Sequence, residues 1–184
     1  THTTRCNARK KGVRNVAFSG DKGFMYKCNL ALRTTVKILK PIHAFRVNNE
    51  QDLYDNIYKM DWTQYMKATG TLAVDATIHL KFPDLKINVH IDRHQCTISL
   101  DSSGDSLHKR GYKTATNIAP INEVLAAGLI MLSGWDGQTD FMDPMCGSGT
   151  MLIEAAMIAC NIPPNLMRKE FAFEKWKDWD NDLF

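Results

Sequence analysis

No Cys-x-x-Cys pair occurs in this sequence, and its five cysteines are scattered. That scatter fits reduced thiols in a cytoplasmic setting better than a disulfide framework. Long apolar runs are also lacking. The longest, near 124–132 and 151–160, are too short to cross a bilayer, and Thr1–Arg5 carry no apolar signal-peptide core. A metal set is missing as well. His90, His94 and Cys96 share a strand face if extended, but no fourth ligand lies nearby, and no metal is expected. Acids are scarce at the start: residues 1–46 hold eleven Lys and Arg against Asp21 alone. The remainder is acidic, and the chain totals +3. A basic first segment suits an anionic partner, and nucleic acid is the usual one.

What is present centres on Thr139–Thr150 and the apolar run Met151–Cys160. Phe141 and Met142 suit the end of a buried strand, which Asp143-Pro144 stops. Gly147-Ser148-Gly149 then supplies a turn with backbone angles closed to other residues. It opens onto a helix whose unpaired N–H groups favour an anionic ligand group. A phosphate loop would need Lys before the Ser or Thr, yet Thr150 follows Gly149 directly. A dinucleotide fingerprint would need a third glycine where Leu152 stands. The remaining functional reading is an S-adenosylmethionine (SAM) loop, and its bland rival is a plain strand-to-helix turn.

Elsewhere, Val13–Phe18 suits a short strand, Phe24–Leu39 a helix ended by Pro41, and Pro41–Val47 a second strand. Asn48-Asn49 caps a helix over Asp52–Met60. Leu72–Ile78, Leu85–Ile91 and Cys96–Leu100 alternate as strands, the last two joined by a hairpin at Arg93-His94. Asp101–Ser106 is polar and turn-rich, and reads as a linker. Asn122–Leu132 is a helix after Pro120. Phe171, Phe173, Trp176 and Trp179 form an aromatic stripe, expected to pack in a core rather than stack on bases.

Asp143-Pro-Met-Cys-Gly-Ser-Gly-Thr150, followed by Ile153-Glu-Ala-Ala156, resembles motif I of class I SAM-dependent methyltransferases. The variant is that of 23S rRNA guanine-N2 methyltransferases with an N-terminal THUMP domain. Ser106–Tyr112, Ala119–Ala127 and Ser133–Gly137 are similar to that family too. The resemblance implies an α+β THUMP-like module over 1–100, a linker over 101–112, and the start of an α/β Rossmann-like methyltransferase domain over 113–184. It implies SAM as cofactor and ribosomal RNA as partner, with no membrane. Asp143, Cys146, Gly147, Ser148, Gly149 and Thr150 are the expected cofactor residues, with Arg110, Ala119, Pro120 and Ile121 from the segment before motif I. Arg9, Lys10, Lys11, Arg14, Arg33 and Lys37 are the expected RNA contacts.

Two departures from the family pattern stand out. Segments expected near Cys6/Asn7 and Leu80/Lys81 are absent, as if residues were skipped there. The Asn-Pro-Pro-Tyr-like turn that holds the acceptor amine in this family does not follow Thr150. No catalytic residue is therefore assigned, and the 184 residues are expected to be inactive alone. The alternative is a non-catalytic RNA-binding module with a vestigial nucleotide loop.

Overall fold

A computed structural model describes residues 7–11, 15–74, 85–113 and 120–184. Its contacts divide the chain into two compact units: Thr1–Thr34, Ala115–Leu166 and Asp180–Phe184 make the first, Thr35–Thr114 and Met167–Trp179 the second. Arg14 and Ala119, together with residues 75–78 of the expected Leu72–Ile78 strand, lie outside the described residues.

In the first unit, β1 (Asn7–Lys11) and β2 (Val16–Ser19) pair antiparallel. The helix α1 (Lys22–Ala31) starts at Asp21, whose carboxylate accepts from Phe24 N at 2.7 Å. It is shorter than its apolar spacing suggests. Leu32 is extended (φ −74°, ψ 121°), and Thr34-Thr35-Val36 follow. Such β-branched residues lose χ1 freedom in a helix. Val36 and Leu39, expected on its buried face, are 50% and 38% exposed.

Among the described residues, two further α-helices belong to this unit. The helix α3 (Glu123–Leu132) is capped by Asn122, which accepts from Val124 N at 2.9 Å and Leu125 N at 3.2 Å. The helix α4 spans Thr150–Ala159. The two pack together, burying Ala126, Ala127 and Ile130 on one and Ala155 and Met157 on the other. The apolar sequence of α4 suggests burial all round, but Leu152 and Ile153 are each 37% exposed.

The second unit is built on a mixed sheet ordered β3-β6-β5-β4. Its strands are β3 (Leu39–Arg46), β4 (Leu72–Val74), β5 (Leu85–Asp92) and β6 (Gln95–Asp101). Pro41 is tolerated because β3 is an edge strand and its register shifts beside that residue. The β5–β6 hairpin turns at Arg93-His94, with Arg93 at φ +54°. Leu85, Ile87, Cys96, Ile98 and Leu100 form a buried face. His90 pairs with Thr97 and Ile91 with Cys96, so His90 and Cys96 face opposite sides. That removes the three-ligand grouping, and no metal-type cluster exists among the described residues. The helix α2 (Glu50–Tyr58) begins at Asn49, which accepts from Asp52 N at 2.8 Å.

The stretch expected to be a linker is packed. Asp101, Ser102, Ser103 and Leu107 are all nearly or fully buried. Their polarity is satisfied within the unit: Ser102 Oγ donates to Ile38 O at 2.8 Å, and Ser103 Oγ accepts from Ile38 N at 2.9 Å. Asp101 Oδ1 accepts from Ser103 N at 3.0 Å, and Oδ2 lies 3.4 Å from Lys37 Nζ. Burial pushes the Asp101 carboxyl up despite that partner. Arg168 ties this turn down. Its Nη1 donates to Ser106 O (3.1 Å) and Lys109 O (2.8 Å), and its Nη2 to Ser103 O (3.2 Å) and Asp105 O (3.1 Å). The aromatic stripe is core, as expected: Phe171, Phe173 and Trp176 are 4%, 0% and 6% exposed.

Candidate functional site

The candidate site is the turn 143–149 and the first turn of α4. The expected strand at 139–142 does not form; these residues pair with no strand among those described. A parallel-type strand holds its shape through neighbours on either side. Here side chains hold the segment instead. Trp135 Nε1 reaches both Thr139 O and Thr139 Oγ1 at 3.1 Å, and its ring lies 4.9 Å from that of Phe141. Gly137, at φ +83°, passes so close to α4 that a Cβ would sit 2.9 Å from Ala159 Cα. Sequence reading missed both supports. The Trp-Asp-Gly triplet just before the loop was the available signal.

Within the loop, Asp143 Oδ1 accepts from Met145 N at 3.1 Å, closing a tight turn. Gly149 N donates to Cys146 O at 2.7 Å. Gly147 and Gly149 both take left-handed angles (φ +54° and +74°). A Cβ built on either would meet nothing within 4 Å. Their conformation therefore demands glycine, while the space beside them is open.

The helix starts without a side-chain cap. Gly149 is its N-cap, and the first helical bond is Ile153 N to Gly149 O at 2.9 Å. Ser148 and Thr150, the two hydroxyls available for capping, instead contact each other at 3.2 Å. Thr150 is buried, Cys146 is exposed and Glu154 is fully buried. The site thus offers uncapped N–H groups at a positive helix end, a carboxylate at Asp143, and open space over two glycines. It suits a small zwitterion whose anionic group meets the helix and whose cationic group meets the acid.

The other expected residues divide. Arg110 is 1% exposed and donates through Nη1 to Leu107 O at 2.9 Å. Its head group is thus committed inside the second unit. Pro120 is exposed and Ile121 half-buried, just before α3. Arg33 Nη2 donates to Met157 O (2.9 Å) and Ile162 O (2.7 Å), binding carbonyls at the C-terminal end of α4. Lys37 is engaged with Asp101. Arg9, Lys10 and Lys11 lie on β1.

Residues 110–182 match the family model described as "RMKL-like, methyltransferase domain". Among relatives, slr0064 of Synechocystis sp., provisionally named an RNA methyltransferase, is 36% identical over 92% of this chain and 53% of its own length. That alignment runs over 202 positions, more than the 184 residues here, so the relative carries residues inside the matched region that this chain lacks. The ribosomal RNA large subunit methyltransferase K/L of Cellvibrio japonicus is 33% identical over 95% of this chain and 28% of its own length. A solved structure, SMU.472 in complex with SAH, superposes with a TM-score of 0.82 at 30% identity, over 97% of this chain and 55% of that one. The chain therefore spans about half the length of the first relative and of that structure.

Proposed function

We propose that this chain carries the methyl-donor half of a SAM-dependent RNA methyltransferase. The observation that carries the reading is the uncapped N-terminus of α4 beneath Gly147 and Gly149, with open space where a Cβ would project. The residues present fit the methionine part of SAM. Its carboxylate suits the N–H groups of the first helical turn, and its ammonium suits Asp143. SAM supplies an already activated methyl group, so the protein's share is binding and orientation. Gly147 and Gly149 let the backbone approach the ligand, and the Ser148–Thr150 contact fixes the hydroxyls at the turn.

The acceptor is guanine N2 in 23S ribosomal RNA, in the cytoplasm. The ribosomal RNA large subunit methyltransferase name of the relatives and the basic balance of residues 1–46 support the ribosomal RNA part of this reading, while guanine N2 rests on the resemblance of Asp143–Thr150 to the motif I variant. Residues 1–100 would serve as the THUMP-like RNA-handling part and 113–184 as the start of the methyltransferase domain. The 184 residues lack an Asn-Pro-Pro-Tyr-like acceptor turn after Thr150. Binding of the donor without turnover is the expected behaviour.

A titration with S-adenosylhomocysteine tests the donor site. Asp143→Asn keeps an acceptor for Met145 N but removes the charge facing an ammonium. It should weaken binding about tenfold, the loss of one charge-assisted contact. Equal affinity in the variant, or transfer of labelled methyl to 23S rRNA by this chain alone, would each overturn part of the proposal.

A further inference from the structure

The second unit contains a cleft of about 330 Å³ between the turn 103–111 and the segment 168–175. Five cations line it, Lys86, Lys109, Arg168, Lys169 and Lys175, against two acids, Asp105 and Glu170. We propose that this cleft binds the phosphodiester backbone of single-stranded RNA. The proposal rests on the RNA reading given above and extends it: of the five cations only Lys86 lies in residues 1–100, so the contact surface reaches beyond that RNA-handling part.

The charges fall into two classes. Arg168 is a fixed one: its two terminal nitrogens are committed to four carbonyls, and its guanidinium lies 5.1 Å from the Phe171 ring centroid. It contributes field but no free fork. The lysines are the adjustable class. Lys109 pairs with Asp105 at 3.1 Å, with side chains 61% and 63% exposed, and Lys175 with Glu170 at 3.4 Å, 35% and 61% exposed. Pairs this exposed contribute little to stability and exchange readily for a phosphate oxygen. Lys86 donates to Gly104 O at 3.2 Å from the cleft wall, and Lys169 is exposed. The local potential is positive. Burial alone would raise the Asp105 carboxyl, yet Lys109, Lys86 and Arg168 hold it below the usual carboxylate range.

The arrangement favours a polyanion over a lone phosphate. A free phosphate is best held by a bidentate guanidinium, and the fork of Arg168 is already filled. What remains is point charge spread along two segments. That suits a backbone whose binding is driven by counterion release.

The test is anisotropy titration of a labelled single-stranded RNA oligomer against this chain across a potassium chloride series. Lys109→Gln with Lys169→Gln should reduce the magnitude of the log–log salt slope by about 1.4, at about 0.7 for each lost phosphate contact. Lys59→Gln with Lys67→Gln, exposed positions outside the cleft, should leave the slope near that of the parent. Asp105→Asn should tighten RNA binding, and Asp92→Asn on the hairpin should not; a gain of affinity cannot come from misfolding. If the parent binds RNA and the cleft pair leaves its slope unchanged, the cleft is wrong while the RNA reading stands. If the parent binds no RNA, both fail. Release of RNA by inorganic phosphate at matched ionic strength would make the cleft a small-anion site and overturn the assignment.

Discussion

Replacing Arg168 by Lys keeps the charge and removes the fork. In the structure four carbonyls, of Ser103, Asp105, Ser106 and Lys109, converge on two guanidinium nitrogens at 2.8–3.2 Å. One ammonium at the end of a shorter stem serves about two of them. Each charge-assisted bond removed is worth roughly 1.5–3 kcal/mol. Arg168 is only partly buried, so water recovers part of the loss. A destabilisation of about 2–4 kcal/mol follows, confined to the second unit. At roughly 4–8 °C per kcal/mol for a domain of this size, Tm should fall by about 10 °C or more. Urea unfolding followed by tryptophan fluorescence reads this directly, since Trp62, Trp176 and Trp179 all lie in that unit. A shift below about 0.5 kcal/mol, the range of ordinary surface substitutions, would refute the view that Arg168 holds the 101–110 turn in place.

Three further outcomes are expected. Gly137→Ala should destabilise more than Gly149→Ala: both glycines have positive φ, costing about 1 kcal/mol, but only at 137 does a Cβ meet backbone, at 2.9 Å from Ala159 Cα. Thermal melts of the two variants give the order. Arg33→Ala should cost about 1–2 kcal/mol through the lost carbonyl contacts at the end of α4, while leaving the RNA salt slope unchanged by anisotropy. Asp101 has a folded-state pKa raised above its ordinary 3.8, so its contribution to stability is greatest below that value and is lost as pH rises through the folded pKa. The urea midpoint of the parent, relative to Asp101→Asn, should accordingly rise as pH falls from 7 toward 4.

How much was legible in the sequence depended on whether local rules decided the outcome. The Asn49 cap and the Arg93-His94 hairpin are local, and each formed where side-chain chemistry places it. The glycine turn at 147–149 was legible for the same reason. Three features were not. The α1 helix stops at Ala31 because β-branched residues after Leu32 outweigh a continuing apolar spacing. Asp101–Ser106 has the composition of a solvated linker but is buried, because Arg168, more than sixty positions later, satisfies its carbonyls. The strand before the loop failed because a strand depends on partners, which no period in residues 139–142 can supply.

In the proposed function, the 143–150 loop holds the methionine end of SAM against the bare start of α4. Isothermal titration of S-adenosylhomocysteine into the parent and into Gly149→Ala tests it most directly, because a methyl group there meets no atom of the protein within 4 Å and, beyond the backbone cost of positive φ, intrudes on the ligand space. Saturable binding by the parent, weakened about tenfold or more in a Gly149→Ala protein that still melts cooperatively, is the expected result. Binding of equal strength in both, or no saturable binding by the parent, would contradict the claim.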